Sequence, residues 1–120
     1  MLGHSDAYLD FGTLSLAAGT QEFPIIIKPK ESSLSRFYVS VTFAGAKTSG
    51  GKASISLYVA NNGTTYTEVA KTAEITDFSK SAYIAIPEHT NKASFKAKLT
   101  VTGTFTGGTA KAEIDTYTGV

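Results

Sequence analysis

The feature that most constrains this chain is a strict two-residue alternation of apolar and polar side chains, with no competing helical stripe. From Phe95 the residues Phe95, Ala97, Leu99 and Val101 alternate with Lys96, Lys98, Thr100 and Thr102. Successive side chains of a strand point to opposite faces, so this spacing describes a strand with one face buried and one wet. Further on, Ala110, Ala112 and Ile114 alternate with Lys111, Glu113 and Asp115. A Gly107-Gly108 turn, free to adopt positive φ at both positions, would pair Thr106 with Thr109. Val101 would then face Ile114 and Thr102 face Glu113, and all the apolar residues would share one side.

The same pattern recurs upstream. "RFYVSVTF" (Arg36–Phe43) puts Phe37, Val39, Val41 and Phe43 on one face, and "KASISLYVA" (Lys52–Ala60) does so with Ala53, Ile55, Leu57 and Val59. Joined in phase through "AGAKTSGG", these would set Val41 opposite Ile55 and Val39 opposite Leu57. "EFPIIIK", "TEVAKTAEI" and "SAYIAIP" read as further strands. Pro24 lacks a ladder donor, so its segment belongs at an edge or a bulge. A tight Asn62-Gly63 hairpin would set Leu57 against Glu68, so the next strand enters after a longer loop. At most a short turn of helix is expected near Phe78. Seven or eight short antiparallel strands with turn signals between them predict an all-β fold, a jelly-roll-like β-sandwich. Neither an internal repeat nor a linker divides the 120 residues. They are read as an N-terminal arm or first strand over residues 1–20 and a single β-sandwich domain over 21–120.

Composition narrows the chemistry. With no cysteine, disulfides, thiolate catalysis and the usual structural zinc sites are excluded. A net charge of +1 gives no strong field to draw in nucleic acid or an anionic membrane. The opening "MLGHSDAYLDFG" lacks the basic and long apolar regions of a secretory signal, so export by that route is not expected. The two histidines, His4 and His89, stand apart in sequence, and Glu88 beside His89 makes only a polar pair. Asp6 and Asp10 have no helix to align them. "TSGGKAS" has neither the spacing nor the strand–helix setting of a phosphate loop, and no GxSxG elbow is present. No catalytic, cofactor-binding or metal-binding residues are therefore assigned. Asn62-Gly63-Thr64 fits a glycosylation pattern but reads as a turn. Lys28, Lys30, Lys92, Lys96 and Lys98 read as a solvated face that discourages edge pairing.

Surface aromatics and the N-terminus carry the better signal. Tyr38 and Tyr58 fall out of phase with the core residues of their strands, on the same side of the sheet if those strands form a hairpin. Tyr117 is similarly out of phase with Ala112 and Ile114. Outward tyrosines suit protein interfaces and carbohydrate platforms alike, unless a second sheet or the N-terminal segment covers them. The N-terminal Leu9, Phe11, Leu14 and Leu16 would be a hazard if left exposed, which points to an arm ordered against another subunit.

The run from "RFYVSVTF" through "KASISLYVANNGTTYTEVAKTAEI" to "KAKLTVTGTFTGGTAKAEI" resembles the small capsid cement (decoration) proteins of tailed bacteriophages, of the Bordetella-phage type. "VTGTFT" (Val101–Thr106) is the closest match, and "SDAYLDFGTLSLAAGT" is similar in kind. The likeness spans about Arg36 to Ile114 and departs from the family at "SKSAYIAIPEHTNKASF". It implies a non-enzymatic, jelly-roll-like virion protein, made in the host cytoplasm, that docks on the capsid exterior. There it would bridge major capsid subunits and self-associate as a dimer or trimer, with no cofactor, nucleic acid or membrane partner. Leu9, Phe11, Leu14, Leu16, Tyr38, Tyr58 and Tyr117 are the expected partner-interface residues. The alternative is a carbohydrate-binding β-sandwich module that uses Tyr38, Tyr58 or Tyr117 for stacking; a small hydrolase would require His89.

Overall fold

A computed structural model describes residues 10–28, 37–87 and 93–116. They form eight strands and no helix: β1 (Asp10–Ser15), β2 (Gly19–Glu22), β3 (Phe37–Thr48), β4 (Lys52–Ala60), β5 (Thr67–Lys71), β6 (Ala82–Ala85), β7 (Ser94–Thr102) and β8 (Phe105–Thr116). One antiparallel sheet has the order β1-β8-β3-β6 and the other β2-β7-β4-β5. In these orders β1 pairs with β8, β2 with β7, β3 with β6, and β4 with β5. First meets last, second meets second-last, and so inward. That is an eight-stranded ribbon doubled at its middle, then wrapped until β3 meets β8 and β4 meets β7. The fold is a jelly-roll β-sandwich.

Wrapping is what the alternating pattern requires, because each apolar face must find another apolar face. Val39, Val41, Ala110, Ala112 and Ile114 from the first sheet meet Ile55, Leu57, Phe95, Ala97 and Leu99 from the second, all buried. Each fully buried Val, Leu, Ile or Phe contributes roughly 1.5–3 kcal/mol of transfer free energy. Phe43, Phe78 and Phe105 cluster at the edge of this core, edge to face at 5.0 and 5.2 Å. Phe78 stands in a hydrogen-bonded turn, and no helix forms around it.

The inward and outward phases are those of the sequence pattern, but the neighbours differ. Val39 lies beside Ile114 and Ile84, and Val41 beside Ala112 and Ala82. Ile55 pairs with Leu99 and Leu57 with Ala97. Strands β3 and β4 are thus in opposite sheets, and so are β7 and β8. Neither expected hairpin forms. Alternation fixes which face a side chain takes, and that requirement is the same whether the next strand pairs alongside or crosses the core. Gly107 and Gly108 lie within β8, and the chain changes sheets at Gly103-Thr104. Gly103 has φ +86°, and a Cβ there would sit 2.9 Å from the Cα of Gly51, in the β3–β4 corner. The two sheet-to-sheet corners touch, and only glycine fits the contact.

Two other expectations hold. Pro24 falls where the edge strand β2 leaves its ladder: Phe23 N–H donates to Ala97 C=O at 2.9 Å, and pairing resumes only at Ile27 with Phe95. Between them Ile25 N–H donates to Phe11 C=O at 3.0 Å, tying the edges of the two sheets together. Strand β5 enters after a six-residue connection in which the Asn62 Oδ1 accepts from the N–H groups of Thr64 and Thr65, both at 2.9 Å.

Of the two alternatives for the N-terminal segment, an arm or a first strand, residues 10–15 form the strand. Residues 10–20 belong to the sandwich, with β1 closing one sheet and β2 the other. Phe11 is fully buried and Leu16 nearly so, while Leu14 packs at the rim of the core. Deleting Met1–Thr20 is therefore expected to abolish the cooperative unfolding transition, read by circular dichroism against urea, rather than leave a folded β-domain. Retention of a sigmoidal transition would contradict this.

Candidate functional site

With the core filled, the functional surface is what the two sheets present outward. On the β1-β8-β3-β6 sheet the outward residues of β3 are short apart from Tyr38: Ser40, Thr42 and Ala44 follow it at every second position. Ser40 is flanked in register by Glu113 of β8 and Tyr83 of β6. Tyr83 packs edge to face on Tyr38, with ring centroids 5.3 Å apart and planes at 69°, and is still 61% exposed. The result is an aromatic ridge beside a low floor. Across that floor Lys111 Nζ lies 3.7 Å from Asp10 Oδ2 and 4.0 Å from Glu113 Oε2. Asp10 Oδ1 also accepts the Gly12 N–H at 2.8 Å and secures the bulge that turns Phe11 inward. Its carboxylate has a structural task.

The outward face of the other sheet is a lysine–tyrosine lattice. Lys98 Nζ lies 4.7 Å from the Tyr58 ring centroid, and Lys96 Nζ lies 4.4 Å from that of Tyr66. Lys96 also pairs with Glu22 at 3.4 Å, and the Tyr58 hydroxyl donates to Glu68 at 3.5 Å. Cation–π contacts at exposed sites contribute about 0.5–1 kcal/mol each. Lys28, also of the expected solvated strip, is exposed; Lys30 and Lys92 lie outside the described residues.

The expected interface residues are therefore scattered. Tyr38 and Tyr58 both point outward, half-buried, but from opposite faces of the molecule and not from one side of one sheet. No second sheet covers either. Phe11 and Leu16 are buried, and their side chains complete the core. Leu14 packs on that core from its rim. Leu9 and Tyr117 lie outside the described residues, as do His4, Asp6, Glu88 and His89. Tyr83 was missed, although the alternation of Ala82, Ile84 and Ile86 marks it as outward. Ile25 and Ile26, 42% and 39% exposed, belong to the segment expected at an edge or a bulge and form an outward bend after Pro24.

Among the described residues no three His, Asp or Glu side chains converge as metal ligands would. No protein-family model matches the chain, and no curated protein gives a significant match. The two outward faces carry an aromatic ridge on one side and a lysine–tyrosine lattice on the other.

Proposed function

We propose that this protein is a capsid cement protein of a tailed bacteriophage. It docks on the exterior of an assembled shell, as a dimer or trimer made in the host cytoplasm, and stabilises contacts between major capsid subunits without performing a reaction. The observation that carries this reading is the Tyr38–Tyr83 ridge: an edge-to-face aromatic pair on an outward sheet face, with Tyr38 half-buried and Tyr83 largely in water. Exposed tyrosines with few rotatable bonds are favoured anchors of protein interfaces. The likeness of "VTGTFT" to the cement family supplies the kind of partner, and here that stretch is the tight corner carrying the chain from β7 to β8. Cementing is linkage: a ligand that prefers the assembled shell to free subunits stabilises the shell by that preference. Repeated symmetric engagement multiplies modest contacts. The carbohydrate alternative finds less support, since a lysine ammonium already lies over the rings of Tyr58 and Tyr66, and Tyr38 and Tyr83 do not form a flat platform.

The test is sedimentation. Purified protein mixed with undecorated shells of the phage that encodes it is expected to pellet with them to saturation; protein remaining in the supernatant would refute the reading. Tyr83→Ser is expected to weaken shell binding roughly tenfold or more, as loss of an aromatic anchor does. Its urea midpoint should stay close to that of the parent, because the side chain is largely exposed.

A further inference from the structure

On the outer face of the β2-β7-β4-β5 sheet, a groove of about 150 Å³ runs between β7, β4 and the chain leaving β5. Its floor carries the hydroxyls of Ser54, Thr100 and Thr102, and its rim carries Lys52, Lys71 and Glu74. Strand pairing fixes these positions. Ser54 is in register with Thr100 and Lys52 with Thr102, while Lys71 stands beside Ser56, which is itself beside Lys98. Beyond Lys71 the chain stays against β4 through the Ala53–Ile75 bridge, which holds Glu74 beside Lys52 at 3.3 Å.

The charges in this groove do not balance. Glu74 answers Lys52, but among the described residues no carboxylate lies within ion-pair distance of Lys71. Ser56, its neighbour in register, is buried, so the groove opens from Lys71 toward Ser54 and Thr100. We propose that this groove is a carboxylate pocket that receives an Asp or Glu side chain from an acidic segment of a partner protein, with Lys71 as its counter-ion and the hydroxyls of Ser54 and Thr102 as donors, the Thr100 hydroxyl being shared with that of Thr20 at 3.2 Å. The volume equals about five waters at roughly 30 Å³ each, room for one carboxylate-bearing side chain. A nucleic-acid strand fits poorly, because Glu22, Glu68 and Glu74 on the same sheet would repel a row of phosphates. In the capsid reading the shell subunit supplies the acidic segment, and the source of the ligand rests on that reading; the preference for a carboxylate does not.

The test uses the full chain and a capped Glu-Ser repeat peptide, with the corresponding Gln-Ser peptide, inorganic phosphate and an oligo-dT strand as competitors. Titration followed by backbone amide NMR is expected to shift the signals of Ser54, Thr100 and Thr102 with the Glu peptide and not with the Gln peptide. Lys71→Gln is expected to weaken that binding about tenfold, in line with loss of a charged hydrogen bond, and Lys71→Arg to keep most of it. Response to the Gln peptide, displacement by phosphate or oligo-dT, or an unchanged affinity in Lys71→Gln would each overturn the proposal. Lys71→Glu is then sedimented with shells. If it pellets as the parent does, the shell subunit is refuted as the source of the acidic segment while the capsid reading stands, and the peptide titration decides the pocket. If the parent itself stays in the supernatant, the capsid reading falls, and the peptide titration decides the pocket alone.

Discussion

Phe11→Ala is expected to lower the unfolding free energy by about 3–5 kcal/mol, the usual range for removing a fully buried phenyl group. At roughly 0.05–0.15 kcal/mol per residue, a domain of this length holds about 6–18 kcal/mol in all, so the loss is a large fraction of the total. The size follows from position. Phe11 has no exposed surface and lies in the bulge by which β1 turns toward the core. Its carbonyl accepts the Ile25 N–H that ties the two sheet edges together. Alanine would leave a cavity in the core where β1 closes its sheet. Urea unfolding should show a much lower midpoint at unchanged slope, meaning lost stability without a change in the surface exposed. The melting temperature should fall by about 10–20 °C. A midpoint within error of the parent would mean that residues 10–20 form a detachable arm after all.

The segment shows how far pattern reading reaches. In β3, β4 and β7 the alternation is long enough to fix the buried face residue by residue, and Val39, Leu57 and Leu99 are where their phase puts them. In residues 10–16 the β1 bulge breaks the phase between Asp10 and Gly12, so Phe11 and Leu16 no longer look like one face of a strand. Partner choice is hidden for a different reason. A strand satisfies its ladder equally well with a sequence neighbour or with a distant strand, and what decides is the closure of the whole apolar surface. Of the candidate interface, Tyr38 and Tyr58 were legible as outward because their strands are regular. Their placement on opposite faces was not, because it depends on which sheet each strand joins. Tyr83 carried the same outward signal in the short run Ala82–Ile86, and only its register with Ser40 brings it against Tyr38.

The two faces differ in what binding would demand of them. The ridge of Tyr38 and Tyr83 gains by removal from water, so its contribution should be nearly independent of salt. The groove at Lys71 acts through charge at an exposed site and should weaken as ionic strength rises past the point where the Debye length falls below about 8 Å. Shell binding that used both faces would therefore fall with salt to a plateau and not to zero, and Tyr83→Ser and Lys71→Glu would lower different parts of that curve.

Gly108→Ala and Gly107→Ala are expected to differ sharply although the residues are adjacent. Gly108 has φ +114°, which L-residues rarely adopt, and a Cβ there would lie 2.6 Å from the Cα of Ala46 and 2.9 Å from both its N and the Cδ1 of Leu16. Two of those atoms are backbone and cannot rotate away. The side chain must therefore push β3 off β8 where Gly45 and Ala46 bulge, and strain the hydrogen bond from Leu16 N–H to Gly108 C=O. Backbone strain of about 1–3 kcal/mol and overpacking of about 1–3 kcal/mol together give a loss of roughly 2–6 kcal/mol. A Cβ at Gly107 would meet only the Gly45 carbonyl oxygen at 3.7 Å, an ordinary contact, without a left-handed φ. Its replacement should leave the urea midpoint nearly unchanged, or raise it slightly by restricting the unfolded chain. A two-residue hairpin at Gly107-Gly108 would require positive φ at Gly107 in either favoured turn type, and at both residues in type I′, and so make the Gly107 replacement damaging. Equal losses at the two positions would thus restore the β7–β8 hairpin and overturn the assignment of these strands to opposite sheets; a loss confined to Gly108 is the signature of the wrapped ribbon.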